Sequence, residues 1–452
     1  FGTKAGVVPL HFWLPQTYSA APATVAALMS AKVALYGLIR VGVDVLGASQ
    51  WWWGLIVLAF GAVSAVLGIL YATNEPHLKR KLAYSSTENV GIILMGVGVG
   101  MLGIATGHPV LGVLGLLAGV YHLVNHAVFK GLLFLSTGAV IAQLRTDLLD
   151  EMGGLAKRMP WTGMAFLTGA LAISALPPLN GFVSEWFLYQ SLFLAGTNGN
   201  LTVKALSPLF AVLLAITGAL AAMCFVKAYG VAFAGPSRSD RAREATEVPG
   251  PMRLGMAVLV AGCLVLGLGA PVVVPYLGHV ASALLGVPPV PVRSGLQVFP
   301  ADGAHATLST PLLFLFLVGM LTVPLLLVWV HGGMKAGRRV VAEPWACGYA
   351  YSSRMAYTAT AFAQPLRVLF RPLYKLRTAL ANLAVRMAAY SHQAAGFIDR
   401  ADSMWEHGIY GPLARGTLAL GKRVQRIQQG NVRLYCLYLL ITLVVLLVTT
   451  VG

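Results

Sequence analysis

The chain is short of charge, and shortest of negative charge. Charged residues fill 10% of its 452 positions, 15 acidic against 32 basic, while 57% are hydrophobic and the mean hydropathy is +0.75. A soluble protein carries roughly a quarter of its residues charged, so this composition excludes one and leaves an integral membrane protein. Cysteine is scarce as well. Cys224, Cys263, Cys347 and Cys436 stand apart, with no Cys-x-x-Cys pair and no Cys/His ligand spacing. No iron–sulfur cluster, haem or structural zinc is therefore expected on this chain, and no cofactor at all. The sequence also lacks an initiator methionine and a signal peptide, opening at Phe1 inside an apolar run, which is expected of the C-terminal portion of a longer protein.

Apolar runs are what the chain has in abundance. Residues 22–46, 51–72, 82–103, 110–142, 205–233, 254–277, 311–330 and 434–451 each approach or exceed the ~20 residues that cross a bilayer. Two further stretches, 1–15 and 161–196, contain Pro9 and Pro15, and Pro177, Pro178 and Gly181. Proline removes a backbone donor, so both are predicted to be broken membrane helices whose freed carbonyls line a cavity. With these spans, 25 of the 32 lysines and arginines fall on one side of the membrane, and only Lys204 and Arg293 on the other. By the positive-inside rule the rich side is cytoplasmic. The net charge of +17 is thus accounted for by topology, and no nucleic-acid partner is expected.

Against this background, ionisable residues inside spans are conspicuous. In 121–135, YHLVNHAVFKGLLFL, His122, His126 and Lys130 recur at i, i+4 and i+8, and at about 3.6 residues per turn they form one stripe. A charged side chain at the bilayer centre costs about 2.5–3.5 kcal/mol on insertion scales. Lys4, Lys32, Lys130 and Glu185 lie in four different spans, so compensation is required. The economical arrangement is a row of titratable groups near mid-membrane that passes protons, and the alternative is a purely structural hydrogen-bond network. His11, beside the first break, is either a proton entry or exit group or a hydrogen-bond plug. Arg40 and Lys227 sit close to span ends and are expected to snorkel.

Beyond the spans, 340–430 is basic and amphipathic, with Arg367, Arg371 and Lys375 at i, i+4, i+8. Part of it, 380–430, is expected to form a helix lying along the membrane plane, bent at Pro412, or else a set of short cytoplasmic helices.

KAGVVPLHFWLP, SAKVALYGLIR, KRKLAYSSTENVG, YHLVNHAVFKGLLFL and SALPPLNGFVSEW, all within residues 1–235, together resemble the antiporter-like subunits shared by respiratory complex I, membrane-bound nickel–iron hydrogenases and multisubunit sodium/proton antiporters. A later stretch, EPWACGYAYSSRMAYTATAFAQPL, resembles the hydrogenase-4 component B and formate hydrogenlyase branch more than the complex I branch. The resemblance implies an all-α polytopic fold: an antiporter-like bundle with two discontinuous helices, a lateral amphipathic helix and a C-terminal transmembrane anchor. The corresponding regions are a core at 1–233, additional spans at 254–331, the lateral segment at 340–430 and the anchor at 434–451. It further implies a hydrophilic axis of Lys4, Lys32, His122, His126, Lys130 and Glu185, with a glutamate on a preceding helix as the partner of Lys4. Implied surroundings are a bacterial cytoplasmic membrane, other membrane subunits, and a peripheral arm of nickel–iron hydrogenase and iron–sulfur subunits that carries the redox chemistry. The expected cargo is protons. Sodium/proton exchange and a complex I subunit are the alternatives, and a non-conducting anchor for a soluble enzyme is a third.

Overall fold

The computed structural model describes residues 1–198, 200–300, 306–332, 345–352, 355–379, 382, 386, 389–390, 406–425 and 432–451. They divide into two units, Phe1–Leu380 and Ala381–Gly452. Among the described residues the fold is helical apart from a two-residue antiparallel pairing of Arg293–Ser294 with Gln297–Val298. Eight helical stretches among the described residues are long and apolar enough to cross a membrane.

In the first unit the chain begins with α1 (Gly2–Ala5) and α2 (Trp13–Ala20), separated by the break expected at Pro9. The next span, expected to be continuous, is itself divided into α3 (Ala23–Met29), α4 (Val33–Ile39) and a π-helical end, Arg40–Val45. At its break Lys32 adopts φ 52°, ψ 56°. That left-handed conformation costs an L-residue about 1–2 kcal/mol, so surrounding contacts must hold it.

The centre is built from α5 (Trp51–Asn74), α6 (Leu78–Ala105) and α7 (Pro109–Leu144). Close approach of α5 and α6 depends on glycine. A methyl on Gly61 would lie 2.7 Å from the Gly91 carbonyl oxygen, and one on Gly68 would lie 2.5 Å from the Glu88 backbone nitrogen. Small residues are how membrane helices gain packing contact when lipid is as apolar as leucine. Tight seams on both sides leave every residue of 81–103 buried.

The second break is where the prolines put it, between α9 (Pro160–Ile173) and α10 (Asn180–Asn198), after the short α8 (Leu155–Arg158). Gly181 lets α10 start against α9, since a Cβ there would collide with the Ala172 carbonyl oxygen. Then follow α11 (Leu201–Ala232), α12 (Asp240–Glu244), α13 (Gly250–Leu268) and α14 (Ala270–Leu285). The last two correct the single span expected over 254–277: Gly269 separates them, and Pro271 stands at the start of α14. Next come α15 (Thr310–Gly332) and α16 (Ala359–Leu369), whose first turn is capped by Asp150, Oδ1 accepting from the Ala359 amide at 2.7 Å.

The second unit contains the π-helical turn Glu406–Tyr410, the helix Gly411–Gln425 and the terminal span Val432–Val451. The helix begins next to Pro412, where a bend was expected. Most of the remaining lateral segment, including 391–405 and 426–430, lies outside the described residues.

Candidate functional site

A polar seam runs through the tightest part of the bundle, where α6, α7 and α10 meet. On α6, Ser85, Glu88 and Asn89 recur at i, i+3 and i+4; on α7, His122, Asn125, His126 and Lys130 share one stripe; on α10, Asn180, Ser184 and Glu185 point back at them. All are at most 5% exposed.

His122 is held from two helices. Its Nε2 lies 3.1 Å from Asn89 Oδ1, and its Nδ1 lies 2.9 Å from Ser184 Oγ. The Asn89 amide donates to the Ser85 carbonyl at 2.8 Å, which fixes its oxygen toward the ring. A neutral ring therefore carries its proton on Nε2 and accepts from Ser184 at Nδ1. The Ser184 hydroxyl has a second acceptor, the Gly181 carbonyl at 3.1 Å. Turning that hydroxyl lets Nδ1 take up a proton and become a donor in its turn. Asn125 donates to Ser184 Oγ at 3.0 Å and to the Asn180 carbonyl at 2.8 Å, tying α7 to the start of α10.

One turn on, His126 is fully buried and neither ring nitrogen has a hydrogen-bond partner among the described residues. Its ring packs edge-on against Phe129 with centroids 5.6 Å apart, the backbone of Ser30 is a close polar neighbour though short of full hydrogen-bond geometry, and Lys32, His122 and Lys130 lie within electrostatic reach. An unpartnered buried imidazole is costly in a finished interior and useful where protons or water pass.

Lys130 meets a carbonyl and a hydroxyl rather than a carboxylate. Its Nζ donates to the Leu82 carbonyl at 2.8 Å and to Ser85 Oγ, and stands 5.9 Å from the Phe225 ring centroid. Lys32, 5% exposed, donates to Tyr18 Oη at 3.2 Å and lies over the Tyr18 and Trp13 rings at 5.3 and 5.9 Å. These contacts hold it at the α3–α4 break. At the other end Glu185 borders a cavity of about 300 Å³ lined also by Ser174, Trp186, Tyr189 and Gly218.

Thus Lys32, His126, Lys130, His122 and Glu185 are brought together. Lys4 is not: its side chain is exposed on the single turn of α1. His11 is also apart, at the first break, buried against Tyr71 and Tyr84 with ring centroids 6.1 and 6.2 Å away and Nδ1 unpartnered. Lys227, expected to snorkel, is instead 2% exposed and donates to the Thr73 carbonyl at 2.5 Å. The end of α5 covers it before it could reach a headgroup. Arg40 does stand at a span end, paired with Asp44 one turn away.

Glu88 also belongs in the seam, although the hydrophilic axis expected from the sequence does not include it. It is 1% exposed, its Oε2 has no partner, and Lys130 and Glu185 both lie within electrostatic reach. Its signal was present in the sequence as the third member of an i, i+3, i+4 polar face, Ser85–Glu88–Asn89, on an otherwise apolar helix. Among the described residues, no cluster of histidine, cysteine and carboxylates could hold a metal ion.

Comparison with known proteins identifies the family of the chain. Residues 1–211 match the family model described as NADH:quinone oxidoreductase/Mrp antiporter, transmembrane. The chain is 44% identical over 454 residues to hydrogenase-4 component B of Escherichia coli (strain K12), an alignment covering 99% of this chain and 67% of the relative. To formate hydrogenlyase subunit 3 of the same organism it is 40% identical over 379 residues, covering 83% and 60% respectively. In fold it is similar to a chain of an archaeal membrane-bound sulfane sulfur reductase, with a TM-score of 0.69 and 23% identity over 99% of this chain and 66% of that one. The chain thus spans about two thirds of the length of the relatives it matches.

Proposed function

The chain belongs to the NADH:quinone oxidoreductase/Mrp antiporter family of membrane subunits, and from that premise we propose that it moves protons through the membrane arm of a hydrogenase-type respiratory complex. Partner subunits would carry the redox chemistry, in keeping with its relatives hydrogenase-4 component B and formate hydrogenlyase subunit 3. The setting is the cytoplasmic membrane of a bacterium, with the basic face inward.

The observation that carries this reading is the seam itself: buried amines at Lys32 and Lys130 and buried carboxyls at Glu88 and Glu185, with the imidazoles of His122 and His126 buried among them and none of the four joined in an ion pair. A network built for stability would pair opposite charges or dispense with them, because an uncompensated buried charge costs several kcal/mol, roughly. A relay needs groups that are near enough to sense one another and free enough to change state. Charging Glu185 alters the field at Glu88, charging Glu88 alters it at Lys130, and Lys130 is coupled in turn to His126 and Lys32. His122, with a hydroxyl that can turn, links Glu185's helix to that line.

Lys130→Ala and Glu185→Gln in the full-length protein test the proposal. Each is expected to abolish proton movement coupled to turnover in membrane vesicles while the complex still assembles. Undiminished proton movement would leave a passive membrane anchor. Sodium-dependent transport by the isolated subunit would instead make the cargo exchange of sodium for protons.

A further inference from the structure

At the basic end of the bundle, below Lys130, lies a second pair of amines that the seam does not include. Lys81 on α6 is wholly buried; its Nζ donates to the Ala72 carbonyl at 2.8 Å and lies 3.8 Å from Cys224 Sγ. Lys227 on α11 is 2% exposed and donates to the Thr73 carbonyl. Both amines therefore sit on the last carbonyls of α5, whose dipole favours positive charge.

Capping alone does not account for the pair. Lys79, two residues away, shows what a capping lysine needs: it donates to the Ser19 and Ala21 carbonyls at 2.6 and 2.7 Å from a half-buried position that water reaches. Lys81 and Lys227 are instead sealed from water and within reach of one another, and two like charges there repel. Lys81 is one turn of α6 before Ser85, the hydroxyl that receives Lys130. Cys224 lies within electrostatic reach of Lys130 and of Lys227, and Asp150 within reach of Lys227. Asp150 is half-buried at the basic face.

Building on the proton-transport reading, we propose that Lys81 and Lys227 form a branch of the row that carries protons between Lys130 and the basic face, with Asp150 as its outer terminus. An ammonium at Lys130 passes its proton to a neutral amine of the pair and is left neutral; the pair passes one proton on to the Asp150 carboxylate, which releases it to water. The α5 carbonyls favour one charge on the pair and mutual repulsion disfavours a second, so a proton arriving there is pushed onward.

Lys227→Arg separates the branch from a cap. A guanidinium keeps the charge and the carbonyl contact but does not release its proton at any pH the protein meets. In vesicles holding the full-length protein in its assembled complex, with a pH-sensitive dye reporting proton movement per turnover, Lys227→Arg is expected to lower that movement at least tenfold. Wild-type movement would overturn the branch and leave a cap. If Lys227→Arg does not assemble, Asp150→Asn decides: asparagine still offers an oxygen to the Ala359 amide, so α16 stays docked while the titratable group is lost. At least threefold slower movement supports the branch, and an unchanged rate refutes it. Lys130→Ala in the same preparation keeps the two readings apart. If it moves protons normally, the row itself fails; if it stops them while Lys227→Arg does not, only the branch fails.

Discussion

Two apolar helices of this protein have opposite fates. In α6 every residue from 81 to 103 is buried although the helix contains Lys81, Ser85, Ser86, Thr87, Glu88 and Asn89. In α15, which is more apolar, no residue of 311–331 is buried within the described structure. In water the ranking would be reversed. In a bilayer the solvent is itself hydrocarbon, so apolarity does not drive a helix inward, and polar side chains seek the interior where partners can satisfy them. Glycine then decides how closely such a helix can be packed. The polar content of a span is accordingly the better guide to burial, and burial of titratable groups without ion pairs is the better guide to function.

The largest expected effect tests the packing half of that contrast. Gly68→Leu would drive a side chain into the Glu88 backbone, where no flexible group can give way. Overpacking against backbone costs roughly 1–3 kcal/mol or more, and here it would also part α5 from α6. Little or no assembled protein should be recovered from membranes; a normal yield and melting temperature would show that glycine does not set the seam. Glu88→Gln tests the chemical half. It removes a buried carboxyl whose Oε2 has no partner, so assembly and thermal stability should hold or improve. Proton movement per turnover should fall at least tenfold, and an undiminished rate would remove Glu88 from the row. A smaller effect is expected of Asn89→Ala, which leaves His122 Nε2–H without an acceptor at a cost of about 1–3 kcal/mol. The neutral ring then loses its fixed tautomer, and proton movement should slow by about threefold, measured as an initial rate in vesicles.

Much of this was legible in the sequence, and the parts that were not share a cause. Both proline breaks lie where loss of a backbone donor predicts them, and the His122–His126–Lys130 stripe follows from helical periodicity alone. The α3–α4 break at Lys32 has no such local mark, because neither proline nor glycine is there. It is held by Tyr18, Trp13 and the facing α7, which come from elsewhere in the chain. Position within a span predicts snorkelling for Lys227, yet whether a lysine near a span end reaches a headgroup depends on what stands in its way, and the end of α5 does. Glu88 is absent from the expected axis although Ser85, Glu88 and Asn89 mark a polar face of α6 at helical spacing. Lys4 fails in the other direction: a charge in an apolar run implies compensation, but the packing that would supply it is not among the described residues.

The smallest expected effect is on the exposed helix and completes the contrast. A side chain built on Gly319 of α15 meets nothing within 4 Å, so Gly319→Leu adds surface without displacing any atom of this chain. Lipid tails and leucine are about equally apolar, so no transfer free energy is at stake, and the helix loses only the backbone freedom that glycine brings. Thermal stability of the solubilised protein should stay within about 0.5 kcal/mol of wild type. The same substitution on α5 and on α15 would then differ by the whole stability of the bundle, with hydropathy pointing the wrong way. A loss at Gly319 matching that at Gly68 would mean that packing in this protein is not concentrated where its polar groups are, and the link drawn between buried polarity and structural centrality would fail with it.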